Sequence, residues 1–225
     1  MLREIAGEPL LAWVYRAAKA CPHFAEVVIA VDSPEVQRLC QERGWPYVMT
    51  SPELPSGTDR LFAVSRTVEA DIYVNVQGDE PLLRTEHIAD ILSPFTMPHV
   101  DVTTLKVLCT AENLNNPNAV KVVTARDGRA LYFSRATIPF DRDGTGLVKV
   151  WKHLGLYAYR RDALERFASL AQGELEQAER LEQLRLLENG LALYVAATEH
   201  DTVGVDTEDD LRRVEAILIA NRTTS

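Results

Sequence analysis

One pattern constrains this chain more than any other: short apolar runs of strand length alternate with longer segments whose apolar residues recur at helical spacing. Residues 10–20, "LLAWVYRAAKA", have the helical spacing, and "EVVIAVD" (26–32) then forms a continuous apolar run ending in an acid, as a buried parallel strand does. A helix over Pro34–Arg43, a short strand "YVMT", the loop "SPELPSG", a helix over Thr58–Val68 and the strand "DIYVNV" follow. This order predicts a doubly wound α/β fold with a mainly parallel central sheet.

After "EPLLRTEHIADIL" the texture changes. "DVTTLKVL", "NAVKVVTA" and "ALYFSRA" are rich in strand formers, and Asp127-Gly128 between the last two predicts a hairpin in a small antiparallel subregion. The strand "KHLGLYAYR" leads into helices over 162–170 and 174–189, the second stopped by Asn189-Gly190. "LALYVAAT" reads as the last strand, and a final helix over 207–221 opens on Thr207 and Asp210, a capping pair. No repeat or linker interrupts the chain, so residues 1–225 are expected to form a single domain. The Gly-rich "DRDGTG" (141–146) is the best candidate for a mobile loop.

A chain that is 46% hydrophobic can bury a sizeable core. Its net charge of −9 argues against general nucleic-acid binding, so any phosphate it holds must be met locally. Cys21, Cys40 and Cys109 form no CxxC pair and no Cys/His cluster, which fits a reduced, cytoplasmic protein. The apolar run "PLLAWV" is too short for a membrane span and no basic stretch precedes it, so neither a targeting segment nor a membrane partner is expected.

The chemistry concentrates at "NVQGDEP" (75–81), where an apolar strand ends in an amide, a glycine and two carboxylates. In an open α/β sheet that edge is where ligands bind, and a carboxylate there can hold Mg²⁺ together with substrate phosphates. Asp79 and Glu80 could equally cap a turn in water. Asp206, in "GVDT", stands before the last helix, where an Asp also stabilises a helix start without any further role. "PSGTDR" (55–60) opens a helix with small residues whose N–H groups can meet a base, a ribose or a phosphate, or form an ordinary cap. Arg135 in "YFSRA" wants an anionic partner that its planar fork can match. His153 and Tyr157, and Glu182 with Gln183, are polar groups whose bland alternatives are a packed histidine and a solvated helix face.

In the order "SGTDRL", "NVQGDEP", "NPNAVKVV", "ALYFSRATIPFDRD", "HLGLYAYR", "LEQLRLLENG" and "GVDTEDDL", these segments resemble the 3-deoxy-manno-octulosonate cytidylyltransferases (CMP-Kdo synthetases) of Gram-negative lipopolysaccharide synthesis over nearly the whole chain. The resemblance implies a three-layer, Rossmann-like nucleotide-diphospho-sugar transferase fold, and transfer of CMP from CTP to Kdo with Mg²⁺ and release of pyrophosphate. It implies that Asp79 and Asp206 hold the metal and that Gln77 lies between nucleotide and sugar. Ser56, Gly57 and Arg60 would line the cytidine side, and Arg135, His153, Tyr157, Glu182 and Gln183 the sugar-acid pocket. A homodimer is also implied.

The chain departs from that family at its start. Members begin with a strand and a basic nucleotide-binding loop, and Met1-Leu2-Arg3-Glu4 aligns just after that loop. A chain short of it would be expected to be poorly active, since cations around a transferring phosphate contribute heavily to rate. Two rivals remain open on the sequence: a cytidylyltransferase for a related acid sugar such as 8-amino-Kdo or a sialic acid, and a non-catalytic nucleotide-binding remnant.

Overall fold

The computed structural model describes residues 1–205 and 207–223, the side chains of 221–223 excepted. In chain order the elements are β1 (Glu4–Ile5), β2 (Glu8–Pro9), α1 (Leu10–Ala20), β3 (Ile29–Val31), α2 (Pro34–Arg43), β4 (Tyr47–Met49), α3 (Gly57–Ser65), β5 (Ile72–Asn75) and α4 (Thr85–Leu92). They continue as β6 (Val102–Leu108), β7 (Lys121–Thr124), β8 (Ala130–Ser134), β9 (Trp151–Arg160), α5 (Arg161–Ser169), α6 (Glu174–Glu179), α7 (Leu184–Glu188), β10 (Tyr194–Ala197) and α8 (Glu208–Thr223). No helix among the described residues is long and apolar enough to cross a membrane. The chain divides into two compact units, each discontinuous: residues 1–68, 76–89 and those from 202 on, and residues 69–75 and 90–201.

In the first unit, local chemistry sets most boundaries. Ser33 accepts the Val36 N–H, Pro34 takes the first helical position, and Gly44 at φ 65° closes α2 in the left-handed conformation. β3 and β4 pair in parallel, Ile29 against Tyr47 and Val31 against Met49. Helix α1 is amphipathic on two sides. Leu11 and Tyr15 pack with Ile29, Val31, Val36 and Cys40, while Leu10 joins Ile5, Val205, Val214 and Leu218. Each such fully buried aliphatic side chain contributes about 1.5–3 kcal/mol. The Thr207–Asp210 capping pair forms as expected: the Thr207 N–H donates to Asp210 Oδ2 at 2.9 Å and the Asp210 N–H to Thr207 Oγ1 at 3.2 Å. Helix α3 stops at Ser65, short of the expected Val68, where the Ser65 hydroxyl donates back to the Phe62 carbonyl.

The second unit carries a six-stranded sheet in the order β10-β6-β9-β7-β8, with β5 on β9. It is mixed, as the change of texture after residue 92 suggests for this part of the chain. β10 runs parallel to β6, but β9 runs antiparallel to β5, β6 and β7, and β7 antiparallel to β8. Apolar composition reports burial on both faces and is silent about direction. The expected hairpin is present, with Val122 opposite Phe133 and Gly128 at φ 90° in the turn. The helix expected over 174–189 is broken. Arg180 adopts φ 56°, ending α6, and α7 resumes at Leu184. A buried ion pair sets that break: Arg185 donates from Nε and Nη2 to both oxygens of Glu176, at 2.8 and 2.6 Å, folding α7 back towards α6.

Strand β9 is irregular along both of its edges. β6 pairs with the whole of one edge, whereas β5 takes residues 157–160 and β7 only Trp151 and Lys152 on the other. On that second edge the His153 N–H still donates to the Val120 carbonyl at 2.8 Å, but among the described residues no strand pairs with 154–156, so the sheet forks there. On the β6 side the register slips between Thr104 and Leu105, which face Tyr157 and Leu154, so Gly155 and Leu156 bulge.

Candidate active site

The first unit holds one group of the sequence-predicted residues. Gln77 to Glu80 form a tight turn directly after β5, closed by the Glu80 N–H on the Gln77 carbonyl at 3.3 Å. Asp79 is half-buried there, and its carbonyl accepts the Val205 N–H at 3.0 Å. A Cβ on Gly78 would stand 2.6 Å from the Met1 sulfur and 3.6 Å from Leu11, so a larger residue here would have to displace the flexible Met1 side chain. Asp206 lies outside the described residues. Val205, its neighbour in sequence, is tied to the Asp79 backbone by that one hydrogen bond.

Ser56 and Gly57 open α3. The Ser56 hydroxyl accepts the Asp59 N–H at 3.1 Å and donates to Asp59 Oδ2 at 2.6 Å, so a carboxylate already occupies the first turn. That favours a neutral base or ribose over a phosphate at this terminus. Arg60, on the same helix, is held at the ends of β3 and β4. Its Nη2 meets Asp32 Oδ2 at 2.9 Å, and its Nη1 donates to Thr50 Oγ1 at 2.6 Å. Sequence reasoning missed Asp32 and Thr50, although Asp32 closes "EVVIAVD" much as an acid follows "DIYVNV".

The second unit holds the other group. His153 and Tyr157 lie at the fork of β9 with ring centroids 5.5 Å apart, and Phe133 meets the imidazole edge-on at 4.9 Å. Thr104 Oγ1 lies 2.9 Å from His153 Nε2 and 2.7 Å from the Leu156 carbonyl. A hydroxyl has one proton to give, and the Leu156 carbonyl can only accept it, so Nε2 carries the imidazole proton. Burial pushes the His153 pKa down to about 3, with the Lys152 charge adding to the effect, so the ring is neutral across the physiological range. At the same fork Asn75, opposite Tyr157 in β5, has a buried Nδ2 with no hydrogen-bond partner.

Arg135 follows β8 and is heavily engaged by backbone. Its Nε donates to the Glu179 carbonyl at 2.7 Å, Nη1 to Pro117 at 3.0 Å and Nη2 to Arg180 at 3.4 Å. The Glu179 carboxylate in turn accepts the Arg135 N–H at 2.9 Å and the Ser134 hydroxyl at 2.6 Å. Two of the five guanidinium N–H groups remain, one on each terminal nitrogen. The helix break at Arg180 puts Glu182 and Gln183 in the turn between α6 and α7 rather than on a helix face. Gln183 is buried, and its Nε2 has no hydrogen-bond partner within the protein.

Within the first group, Asp79 offers a carboxylate of the kind a divalent metal takes. Among the described residues no three His, Cys, Asp or Glu side chains converge, as a self-contained metal cage would need. Mg²⁺ commonly takes one or two carboxylates and completes its shell with substrate phosphates and water, which suits Asp79 at a turn beside the segment leading to Asp206.

The family model described as Cytidylyltransferase matches residues 1–199. A 3-deoxy-manno-octulosonate cytidylyltransferase of Acidobacterium capsulatum is 58% identical over 222 residues, covering 99% of this chain and 91% of that protein. The protein of the same name from Koribacter versatilis is 55% identical over 218 residues, covering 97% and 83%. A solved structure of CMP:2-keto-3-deoxy-manno-octonic acid synthetase complexed with CTP superposes with a TM-score of 0.93 at 39% identity, covering 98% of this chain and 91% of that one. A 4-diphosphocytidyl-2C-methyl-D-erythritol synthase from Anaerococcus prevotii, 11% identical with a TM-score of 0.65 over 96% and 90% of the two chains, shares the fold alone. On the breadth of these matches, the chain belongs to the 3-deoxy-manno-octulosonate cytidylyltransferase family.

Proposed function

We propose that this chain is a nucleotidyltransferase that moves CMP from CTP to the anomeric hydroxyl of Kdo, releasing pyrophosphate, in the cytoplasm and as a homodimer, for lipopolysaccharide synthesis. The reaction is an in-line displacement at the α-phosphorus, in which positioning and charge neutralisation carry most of the rate. Ser56, Gly57 and Arg60 take the cytidine side, Asp32 and Thr50 keeping Arg60 in place, and Gln77 reaches both substrates. Asp79 and Asp206 hold Mg²⁺, which when bound lowers the repulsion between nucleophile and phosphate and acidifies the attacking hydroxyl.

On the sugar side, the two unclaimed N–H groups of Arg135 suffice for the two oxygens of the Kdo carboxylate. His153, Tyr157, Glu182 and Gln183 read the hydroxyls. His153 does this as a neutral imidazole with its Nδ1 lone pair available, and Gln183 through its unmatched Nε2 donor.

The observation that carries the metal assignment is the Val205–Asp79 hydrogen bond, which ties the residue before Asp206 to the backbone of Asp79. The test is to follow pyrophosphate release with CTP and Mg²⁺ against Kdo, 8-amino-Kdo and a sialic acid, with and without EDTA. Turnover highest on Kdo and abolished by EDTA is expected. Metal-dependent CTP binding without product from any of the three sugars would overturn the reading.

A further inference from the structure

Lys121 is fully buried in β7, opposite Ser134 in β8 and Lys152 in β9. Its ammonium is satisfied by carbonyl oxygens alone: Nζ donates to Asn116 at 2.8 Å, Ala119 at 2.7 Å and Arg135 at 3.0 Å. All three N–H groups are thereby used. An apolar side chain would fill the strand interior without the desolvation that a buried ammonium suffers. What only the ammonium supplies is three donors aimed at two separate segments, the turn over 116–119 and the backbone of Arg135.

Those segments meet again at the guanidinium. Arg135 Nη1 rests on the Pro117 carbonyl, inside the turn that Lys121 holds, while the Arg135 backbone is held by Lys121 directly and by the Glu179 carboxylate. The base and the tip of the Arg135 side chain each therefore have one of their contacts held by Lys121. We infer that Lys121 is a positioning residue for recognition of the sugar's carboxylate: its ammonium clamps the 116–119 turn to Arg135, leaving the guanidinium aimed and its last two donors free. The inference rests on the role given to Arg135 under the proposed function.

The test is steady-state kinetics of the full chain with Lys121→Met, varying Kdo and CTP separately. The KM for Kdo rises by about ten-fold or more, as for loss of one well-placed charged contact, while the KM for CTP stays within about two-fold. Val122→Ala, a truncation at a fully buried neighbour in the same strand, weakens the fold without touching the ammonium and leaves both KM values in place. Equal KM for Kdo in the parent and Lys121→Met overturns the inference. If Lys121→Met yields no folded enzyme, Pro117→Gly decides, since it loosens the same turn at an exposed position. A several-fold rise in the Kdo KM then supports the clamp, and an unchanged one overturns it. A parent chain that forms no CMP-Kdo at all overturns the functional reading itself and this inference with it.

Discussion

The hydroxyl of Thr50 accepts an N–H from Arg60 Nη1 at 2.6 Å while donating its own proton to the Val31 carbonyl at 3.0 Å. Arg60 is thus fixed to the end of β3 through a buried side chain. Thr50→Val keeps the volume and removes the relay, so the KM for CTP rises about five- to ten-fold, the scale of one hydrogen bond to a charged group. The KM for Kdo is unchanged. Initial rates at varied CTP measure it, and an unaltered CTP KM would remove Arg60 from the nucleotide side.

His153 makes stability depend on pH in a definite direction. Its unfolded value is 6.5 and its folded value about 3, so between them the unfolded chain takes up a proton that the folded chain refuses. Stability is therefore full above about pH 6.5 and declines as pH falls towards 3, by about 1.4 kcal/mol per pH unit. His153→Gln removes this contribution. Urea unfolding at pH about 7 and about 5 should show the parent losing roughly 2 kcal/mol more than the variant. Parallel losses would mean that the imidazole is protonated in the fold.

How much of the fold and the site was legible in the sequence depended on how local each cause is. Ser33, Pro34 and Gly44 act within their own helix, and α2 has the expected limits of Pro34–Arg43. Asp127-Gly128 likewise announced the β7–β8 hairpin. The break at Arg180 was invisible because it follows from Glu176 meeting Arg185 across a turn, and strand direction in β9 because burial pattern does not encode it. The motifs named Arg60, Arg135 and His153 but not Thr50, Lys121 and Thr104 that hold them. Thr104 and His153 are 49 residues apart, and nothing in either segment points to the other.

The Glu176–Arg185 pair is nearly inaccessible, with side chains 7% and 4% exposed, and the Arg185 guanidinium lies 4.5 Å over the Phe167 ring. Arg185→Met leaves a buried carboxylate without its cation and costs about 3–5 kcal/mol in urea unfolding. Adding Glu176→Leu to Arg185→Met recovers most of that loss, because the stranded charge is gone. A single variant as stable as the parent would show the pair to be solvated.

CMP transfer to Kdo, as proposed, turns on Asp79 as the metal-holding carboxylate. The direct measurement is the rate of CMP-Kdo formation from CTP, Kdo and Mg²⁺ by the parent chain and by Asp79→Ala, with folding of both checked by circular dichroism. The expected result is turnover by the parent and a fall of about a thousand-fold or more in the variant, the scale of losing a principal charge-stabilising group. A folded Asp79→Ala enzyme within about ten-fold of the parent, its barrier raised by only about 1.4 kcal/mol, would contradict it.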